Sequence, residues 1–292
     1  MQHTLKGSLY SIVAGILFGL TPLLAKNIYD AGSNAMTLAL ARMVSGMIIF
    51  FFLHHSLIKG SILLSRNLWK KVLICAVAYV MTPILVYSAY NYMDSGLVTT
   101  IHFIYPVLVL VGMVCFCHAK LTAHKLCCCA LCFVGVLCFY GSGGAISSRG
   151  IVMVLISAAA YAFYSIYLNE SGLLKVHLFQ LSFWLCAFGT VILSVVVLAT
   201  KQLELPQTAL GWEILLLYGC VMAAALITFQ KGNYYIGSQK AAVLSVFEPL
   251  TSVIVGITIF QEKLTLRVVI GFFCVLLSVS LLNRIPKKAI LK

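Results

Sequence analysis

The chain has 292 residues, of which 62% are hydrophobic and only 9% are charged, and its formal net charge is +13. A soluble globular protein carries far more charge, so the composition excludes an ordinary soluble enzyme or binding domain. Nucleic-acid binding is not expected either, because the 20 Lys and Arg residues lie almost wholly between apolar stretches rather than on a basic face or arm.

Ten apolar stretches, each about as long as one membrane crossing, follow one another along the chain. A helix needs about 20 mostly apolar residues to cross ~30 Å of hydrocarbon. The predicted helices span residues 7–25, 34–53, 71–92, 96–117, 125–141, 150–168, 177–199, 211–234, 240–260 and 266–283. The predicted fold class is therefore an all-α polytopic membrane protein with ten transmembrane helices.

Basic residues are divided unevenly between the two sets of loops. With the N terminus placed inside, fourteen Lys and Arg residues lie in inner segments and five in outer ones, while Arg42 lies within a helix. Positively charged loops favour the cytoplasmic side, so both termini are predicted to be cytoplasmic. No cleavable signal peptide is evident, and the first apolar run is expected to remain as a membrane helix.

The eleven cysteines do not predict a metal site or disulfides. Most lie inside apolar stretches, where Cys packs as a small hydrophobic residue. The best metal candidate is the group Cys115, Cys117, His118 and His124, but no metal and no cofactor is expected. A Gly-rich phosphate loop is also missing from the sequence, so ATP-driven transport by this chain is not expected.

An internal repeat is the second strong pattern. Pro106 precedes a Lys-Leu-Thr segment at 120–122, and Pro249 precedes the same segment at 263–265, an offset of 143 residues. Each half then holds five helices, and because five is odd, the halves enter the membrane from opposite sides. Repeats of this inverted kind place substrate sites near the midplane, between the halves.

The predicted domains are accordingly residues 1–143 and 144–292, each a five-helix repeat. At this point the chain resembles the drug/metabolite transporter superfamily, in its ten-helix branch with two EamA-type domains. The resemblance is carried by Pro106, by Pro249, and by residues 261–265, which are similar to the family's Gly-Glu-x-Leu-Thr turn before the last helix. The first half has Ala119 in place of the turn Glu, so that feature is not paired.

The resemblance implies a secondary transporter of small organic metabolites, often amino acids or related compounds and frequently in the export direction, in a bacterial inner membrane. The expected mechanism is alternating access, with protons as a candidate coupling ion. The expected partners are the substrate and the lipid bilayer, and the chain is expected to be a monomer or homodimer. The alternatives are a channel, a non-transporting scaffold, and an intramembrane enzyme, for which no converging nucleophile and base are found.

Glu248 is the sharpest functional candidate, because it falls about eight residues into the ninth predicted helix, near mid-bilayer. An ionisable group at that depth is costly and marks a functional site by default. Pro249 has no N–H to donate to the carbonyl of Ser245, which predicts a free acceptor nearby. Ser245, Glu248 and Ser252 share one helix face and are predicted to line a substrate or proton pathway. The alternative is a carboxylate that only ties helices together.

The repeat makes His102 and Tyr105, beside Pro106, the first-half counterparts of Ser245 and Glu248. Two such faces meeting between the halves would form a polar cavity at the midplane. His102 is a candidate for substrate or proton contact, although a membrane histidine can also be a simple interhelical hydrogen-bond donor.

Arg42 lies about eight residues into the second helix and is also predicted to be deep. It could bind a substrate carboxylate through two hydrogen bonds, or it could pair with Glu248 or with backbone carbonyls as a structural tie.

Polar and aromatic residues of the third and sixth helices complete the candidate set. The candidates for lining the cavity are Tyr79, Tyr87, Tyr90, Asn91, Tyr161 and Tyr164. Tyr79, Tyr161 and Tyr164 are the deeper ones, whereas the place of Tyr90 near a helix end is more typical of the interfacial aromatic belt.

Overall fold

The computed structural model describes residues 2–58, 60–116, 122–139, 147–245, 247–262 and 265–283. These residues are almost entirely helical, and none of them forms a β-strand. Their α-helices are α1 (Gln2–Gly19), α2 (Thr21–Asp30), α3 (Ala35–Leu57), α4 (Arg66–Ala89), α5 (Ser95–His102), α6 (Tyr105–Phe116), α7 (Ala123–Phe139), α8 (Ser148–Glu170), α9 (Leu178–Thr200), α10 (Ala209–Leu244), α11 (Phe247–Thr258) and α12 (Leu266–Asn283).

These helices account for ten membrane crossings, as the sequence predicts. Among the described residues, seven helical segments are long and apolar enough to cross a membrane, and shorter apolar helices lie at Leu126–Gly135, Phe247–Thr258 and Leu266–Ser278. The first crossing combines α1 and α2, with the break just before Pro22 in the first turn of α2. Proline is tolerated there because the first N–H groups of a helix have no intrahelical partner. The all-α fold with ten transmembrane helices is confirmed.

The eighth and ninth crossings meet within α10, which runs antiparallel to α1. A Cβ atom on Gly7 would lie 2.5 Å from Ile236 Cγ2, and one on Gly15 would lie 2.9 Å from Phe247 Cβ. Gly7 and Gly15 are about 12 Å apart along α1. The chain must therefore turn back between Ile236 and Phe247, and the ninth crossing begins before α11. Glu248 consequently lies inside a crossing rather than at its end.

The fourth and ninth crossings are broken at equivalent points. The fourth is interrupted after α5, and α6 begins at Tyr105; in the ninth, α11 begins at Phe247. With the repeat offset of 143, these two starts differ by one residue. Pro106 and Pro249 both fall in the first turn after the break, where a missing N–H costs no helical hydrogen bond.

Helices of the two halves pack against each other throughout the bundle. Contacts join α1 to α10 and α11, α3 to α9, α4 to α8, and α7 to α12. The largest fully buried side chains include Tyr87, Tyr218, Phe50 and Met43. The buried core therefore contains tyrosine hydroxyls, which need hydrogen-bond partners inside the protein. One of these partners is Arg42, a residue of the candidate site.

Candidate substrate site

Six polar or aromatic side chains converge in the interior of the bundle and each retains accessible surface: Arg42, His102, Tyr105, Tyr161, Tyr164 and Glu248. The first three come from the first half of the chain and the last three from the second. Ring contacts and electrostatic interactions connect them. We call the space that they line the central cavity.

Arg42 forms one side of the central cavity. Its Nη1 donates to the Tyr87 hydroxyl at 2.8 Å and its Nη2 to the Tyr79 hydroxyl at 3.4 Å. The Tyr87 hydroxyl also shares a hydrogen bond with Tyr218. A guanidinium has five N–H donors, so these two bonds fix the group and leave donors for an anionic ligand.

Arg42 and Glu248 do not form the direct ion pair that was one of the alternatives. The Arg42 guanidinium and the Glu248 carboxylate, both in the described part of the chain, are more than 4.0 Å apart. The two groups still interact electrostatically. The cavity therefore presents a positive and a negative group that are not neutralised by contact with each other.

An aromatic wall runs between the charged groups. Ring centroids are 5.2 Å apart for Tyr79 and Tyr164, 5.6 Å for Tyr164 and Tyr161, and 4.6 Å for Tyr161 and Tyr105. His102 continues the wall at 5.9 Å from Tyr105. The rings are tilted or edge-to-face, which are favourable arrangements for aromatic pairs. The predicted grouping of these five side chains is thus present, although Tyr79 is largely covered, with 9% of its surface exposed.

A serine orients the imidazole of His102. Ser157 Oγ lies 3.0 Å from His102 Nδ1 and 3.3 Å from the carbonyl oxygen of Thr82, to which it donates. Because Nδ1 is engaged in this way, Nε2 is the ring nitrogen that remains for a ligand or a proton.

Glu248 lies in the first turn of α11, half-buried. Its carboxylate interacts electrostatically with Arg42, Tyr105 and Tyr161. Its backbone N–H donates to the Ser245 carbonyl oxygen at 2.9 Å. The expectation of a free Ser245 carbonyl is therefore wrong, because the chain tightens at the break and the Glu248 amide replaces the donor that proline lacks.

Close packing against α1 positions the backbone of Glu248. A Cβ atom on Gly19 would lie 2.6 Å from the Glu248 carbonyl oxygen and 2.5 Å from Thr251 Cβ, and one on Gly15 would lie 3.1 Å from the Glu248 nitrogen. Small residues let membrane helices approach closely. The two glycines allow α1 to contact the start of α11 directly.

Three of the predicted site residues do not line the cavity. Asn91 is exposed in the turn that follows α4, at the end of a crossing rather than along it. Ser252 is fully buried, and its hydroxyl is 3.4 Å from the Ser95 carbonyl oxygen of α5. Ser245 is also buried, with 6% exposed. Their spacing places Ser245 and Ser252 near Glu248, but both serines face neighbouring helices rather than the cavity.

Sequence reasoning missed part of the network that holds the cavity. Tyr218 is fully buried, and its signal was a single tyrosine within the apolar run of α10. Tyr90 is 6% exposed and stacks on Tyr87 at 6.2 Å. Of the two places predicted for Tyr90, the interfacial belt is therefore wrong, and the residue lies in the interior.

Of the metal candidates, Cys117 and His118 lie outside the described residues. Within the part of the chain that is described, no group of three or more His, Cys, Asp or Glu residues could hold a metal ion.

Comparison with known proteins gives a consistent result. The sequence profile of the EamA-like transporter family matches residues 5–141 and 148–284. The uncharacterized transporter YvbV of Bacillus subtilis (strain 168) is 27% identical over 204 residues, which are 66% of this chain and 64% of that protein. The match thus spans less than two thirds of that relative. A crystal structure of another protein covers 94% of this chain and 95% of its own, with a TM-score of 0.65 and 11% identity, and so shows a shared fold alone.

Proposed function

Because the chain belongs to the EamA-like transporter family and is a multi-pass membrane transporter, we propose that it exports small organic metabolites, amino acids or related compounds, by alternating access. The location proposed is a bacterial inner membrane with both termini cytoplasmic, on the basis of the Lys and Arg distribution. A monomer or homodimer would suffice, since one chain encloses the cavity.

One observation carries this proposal: residues of both halves line a single interior cavity. Arg42, His102 and Tyr105 meet Tyr161 and Glu248 there. A site between two inverted repeats can be exposed to one side of the membrane and then to the other as the halves move. This arrangement favours a carrier over a continuous channel.

The charged groups suit a small substrate that carries charge of its own. The Arg42 fork would bind a carboxylate, and the half-buried Glu248 would hold an amino group or a proton. Protons are the proposed coupling ion, with Glu248 as the carboxylate that takes up and releases them. The aromatic wall would contact the apolar part of the substrate.

Counterflow in liposomes tests the proposal. The purified chain would be reconstituted and supplied with a labelled metabolite pool rich in amino acids, with and without a pH gradient. We expect saturable exchange that responds to the gradient in the wild type, and exchange without that response in Glu248→Gln. Glu213→Gln is the matched control, because Glu213 is an exposed carboxylate near the start of α10.

Equal responses in wild type and Glu248→Gln would contradict proton coupling through Glu248. Flux without saturation or counterflow would indicate a channel. No exchange by correctly folded protein would contradict the proposed substrate class.

A further inference from the structure

A charged cluster joins the two halves at one end of the bundle. Lys26 Nζ, from α2, lies 3.0 Å from Oε1 of Glu262, which follows α11. The same oxygen accepts hydrogen bonds from the backbone N–H of Ser95 at 2.9 Å and from its hydroxyl at 2.7 Å. We call Lys26, Ser95 and Glu262 the Glu262 cluster, and the end of the bundle where they lie the Glu262 end.

The surroundings favour the charged form of Glu262. Lys26 Nζ also lies 3.9 Å from the centroid of the Phe260 ring, and Glu262 accepts donors at the N terminus of α5, where negative charge is stabilised. Burial alone would raise the pKa of Glu262, but the hydrogen bonds from Ser95 and Lys26 outweigh it and hold the pKa below its ordinary value. Only 10% of the Glu262 side chain is exposed.

The cluster lies at one end of two helices that carry residues of the central cavity. From Ser95, α5 leads to His102 at the cavity, a distance of about 10 Å along the helix. Glu262 follows α11, which carries Glu248 at its other end, and Lys26 follows the break in the first crossing. The cluster therefore holds together three crossings that must separate if the cavity is to open at this end.

The positions aligned with Lys26 and Glu262 in the other half of the repeat are uncharged. With the offset of 143 residues, Lys26 corresponds to Asn169 and Glu262 corresponds to Ala119. Ala119 lies outside the described residues, but an alanine side chain has no acceptor for an ammonium or a helix N terminus. The Lys26–Glu262 pair is therefore not repeated at the aligned positions of the other half.

We propose that the Glu262 cluster keeps the transport pathway closed at the Glu262 end, and that the carrier at rest opens more easily at the opposite end. This inference rests on the proposed alternating-access mechanism. With both termini in the cytoplasm, the Glu262 end faces outward, and the resting carrier loads its substrate from the cytoplasm, as export requires.

Hydrogen–deuterium exchange on the purified full chain, without substrate, tests the inference. We expect Glu262→Gln to accelerate exchange in peptides covering residues 95–102 about ten-fold, the effect of losing one charge-assisted hydrogen bond. Exchange in peptides covering residues 237–244, at the opposite end, should slow, because the two ends open alternately. Glu213→Gln should leave both segments unchanged.

Two results would overturn the inference. If Glu262→Gln exchanges faster at 95–102 with no change at 237–244, Glu262 is a helix cap without a gating role. If neither segment changes, Glu262 has no role in closing the pathway. Lys26→Met is the second variant, since it keeps the Ser95 contacts, and a smaller change of the same reciprocal kind is expected. Because no substrate is used, this result is independent of whether transport itself is detected.

Discussion

The fourth and ninth crossings have the same backbone break and different chemistry at it. His102 and Tyr105 flank the first break, while Ser245 and Glu248 occupy the same repeat positions at the second. The first break belongs to the aromatic wall, and the second carries the carboxylate. A duplicated backbone thus carries aromatic groups at one break and a carboxylate at the other, so the proposed substrate would meet different chemistry in each half.

The helices that pack on these breaks differ in the same way. Gly15 and Gly19 of α1 contact α11, whereas the repeat places Ala158 and Ala162 on α8, which contacts α6. Glycine thus lets α1 contact the backbone at the break that carries the carboxylate, where the other half has alanine.

The largest expected effect comes from Gly19→Ala. The new Cβ atom would lie 2.6 Å from the Glu248 carbonyl oxygen, so α1 and α11 must separate, at a cost of ~1–3 kcal/mol. Counterflow activity should fall severely, because the carboxylate moves with its helix. The melting temperature measures the loss of stability, and counterflow in liposomes measures the loss of activity.

Ala162→Gly is the matched change in the other half. It creates no clash and should cost only ~0.5–1 kcal/mol, with counterflow close to wild type. If both variants lost activity equally, the glycine contact at Glu248 would have no special importance.

A smaller loss is expected from Tyr87→Phe. It removes the hydroxyl that accepts from Arg42 at 2.8 Å, and a hydrogen bond to a charged group is worth ~1.5–3 kcal/mol. The half-saturation concentration in counterflow should rise about ten-fold with little change in maximal rate, because Arg42 is less well positioned for the substrate.

Tyr167→Phe serves as the control for that variant, since the Tyr167 ring stacks on exposed Phe163 away from the cavity. A drop in maximal rate alone for Tyr87→Phe would instead indicate a role in helix movement.

The Glu262 end should also make the stability of the protein depend on pH. A carboxylate with a lowered pKa in the closed protein stabilises it above the ordinary value of ~4.3 and loses that contribution as the pH falls through the lowered value. The melting-temperature difference between wild type and Glu262→Gln should therefore not fall between about pH 8 and pH 5, and it should vanish in stronger acid.

Asp94, beside the same cluster, adds an opposite contribution. Burial and the Glu262 charge raise its pKa, while Lys26 opposes the rise. Asp94 therefore takes up a proton before Glu262 does, which relieves repulsion and slightly stabilises the closed end in mild acid. In an Asp94→Asn background, the gain in stability in mild acid should be absent. A melting-temperature difference between wild type and Glu262→Gln that declines steadily from pH 8 downwards would contradict this assignment.

The sequence was sufficient for the fold because length, hydropathy and the repeat are local or periodic properties. It also singled out Arg42, His102 and Glu248 as ionisable residues within apolar stretches, and the structure places all three in the interior of the bundle. It placed the ninth crossing at 240–260, and the contacts of Gly15 agree with that placement.

The contacts that could not be predicted from the sequence are those that depend on which helices face each other. The Arg42–Tyr87–Tyr218 hydrogen bonds join three crossings that are far apart in the chain. The Glu262–Ser95 contact joins the two halves. Helical periodicity identifies a face but not its neighbour, which is why Ser252 was assigned to the cavity and packs against α5 instead.

Ser252→Ala should have the smallest effect. Its hydroxyl is 3.4 Å from the Ser95 carbonyl oxygen and fully buried, so the variant should lose no more than ~1 kcal/mol and keep wild-type counterflow and its response to a pH gradient. The repeat position in the first half is Val109, which has no hydroxyl, so this tie is not a feature that both breaks need. An altered substrate preference in Ser252→Ala would return the residue to the pathway and show that α11 rotates during transport.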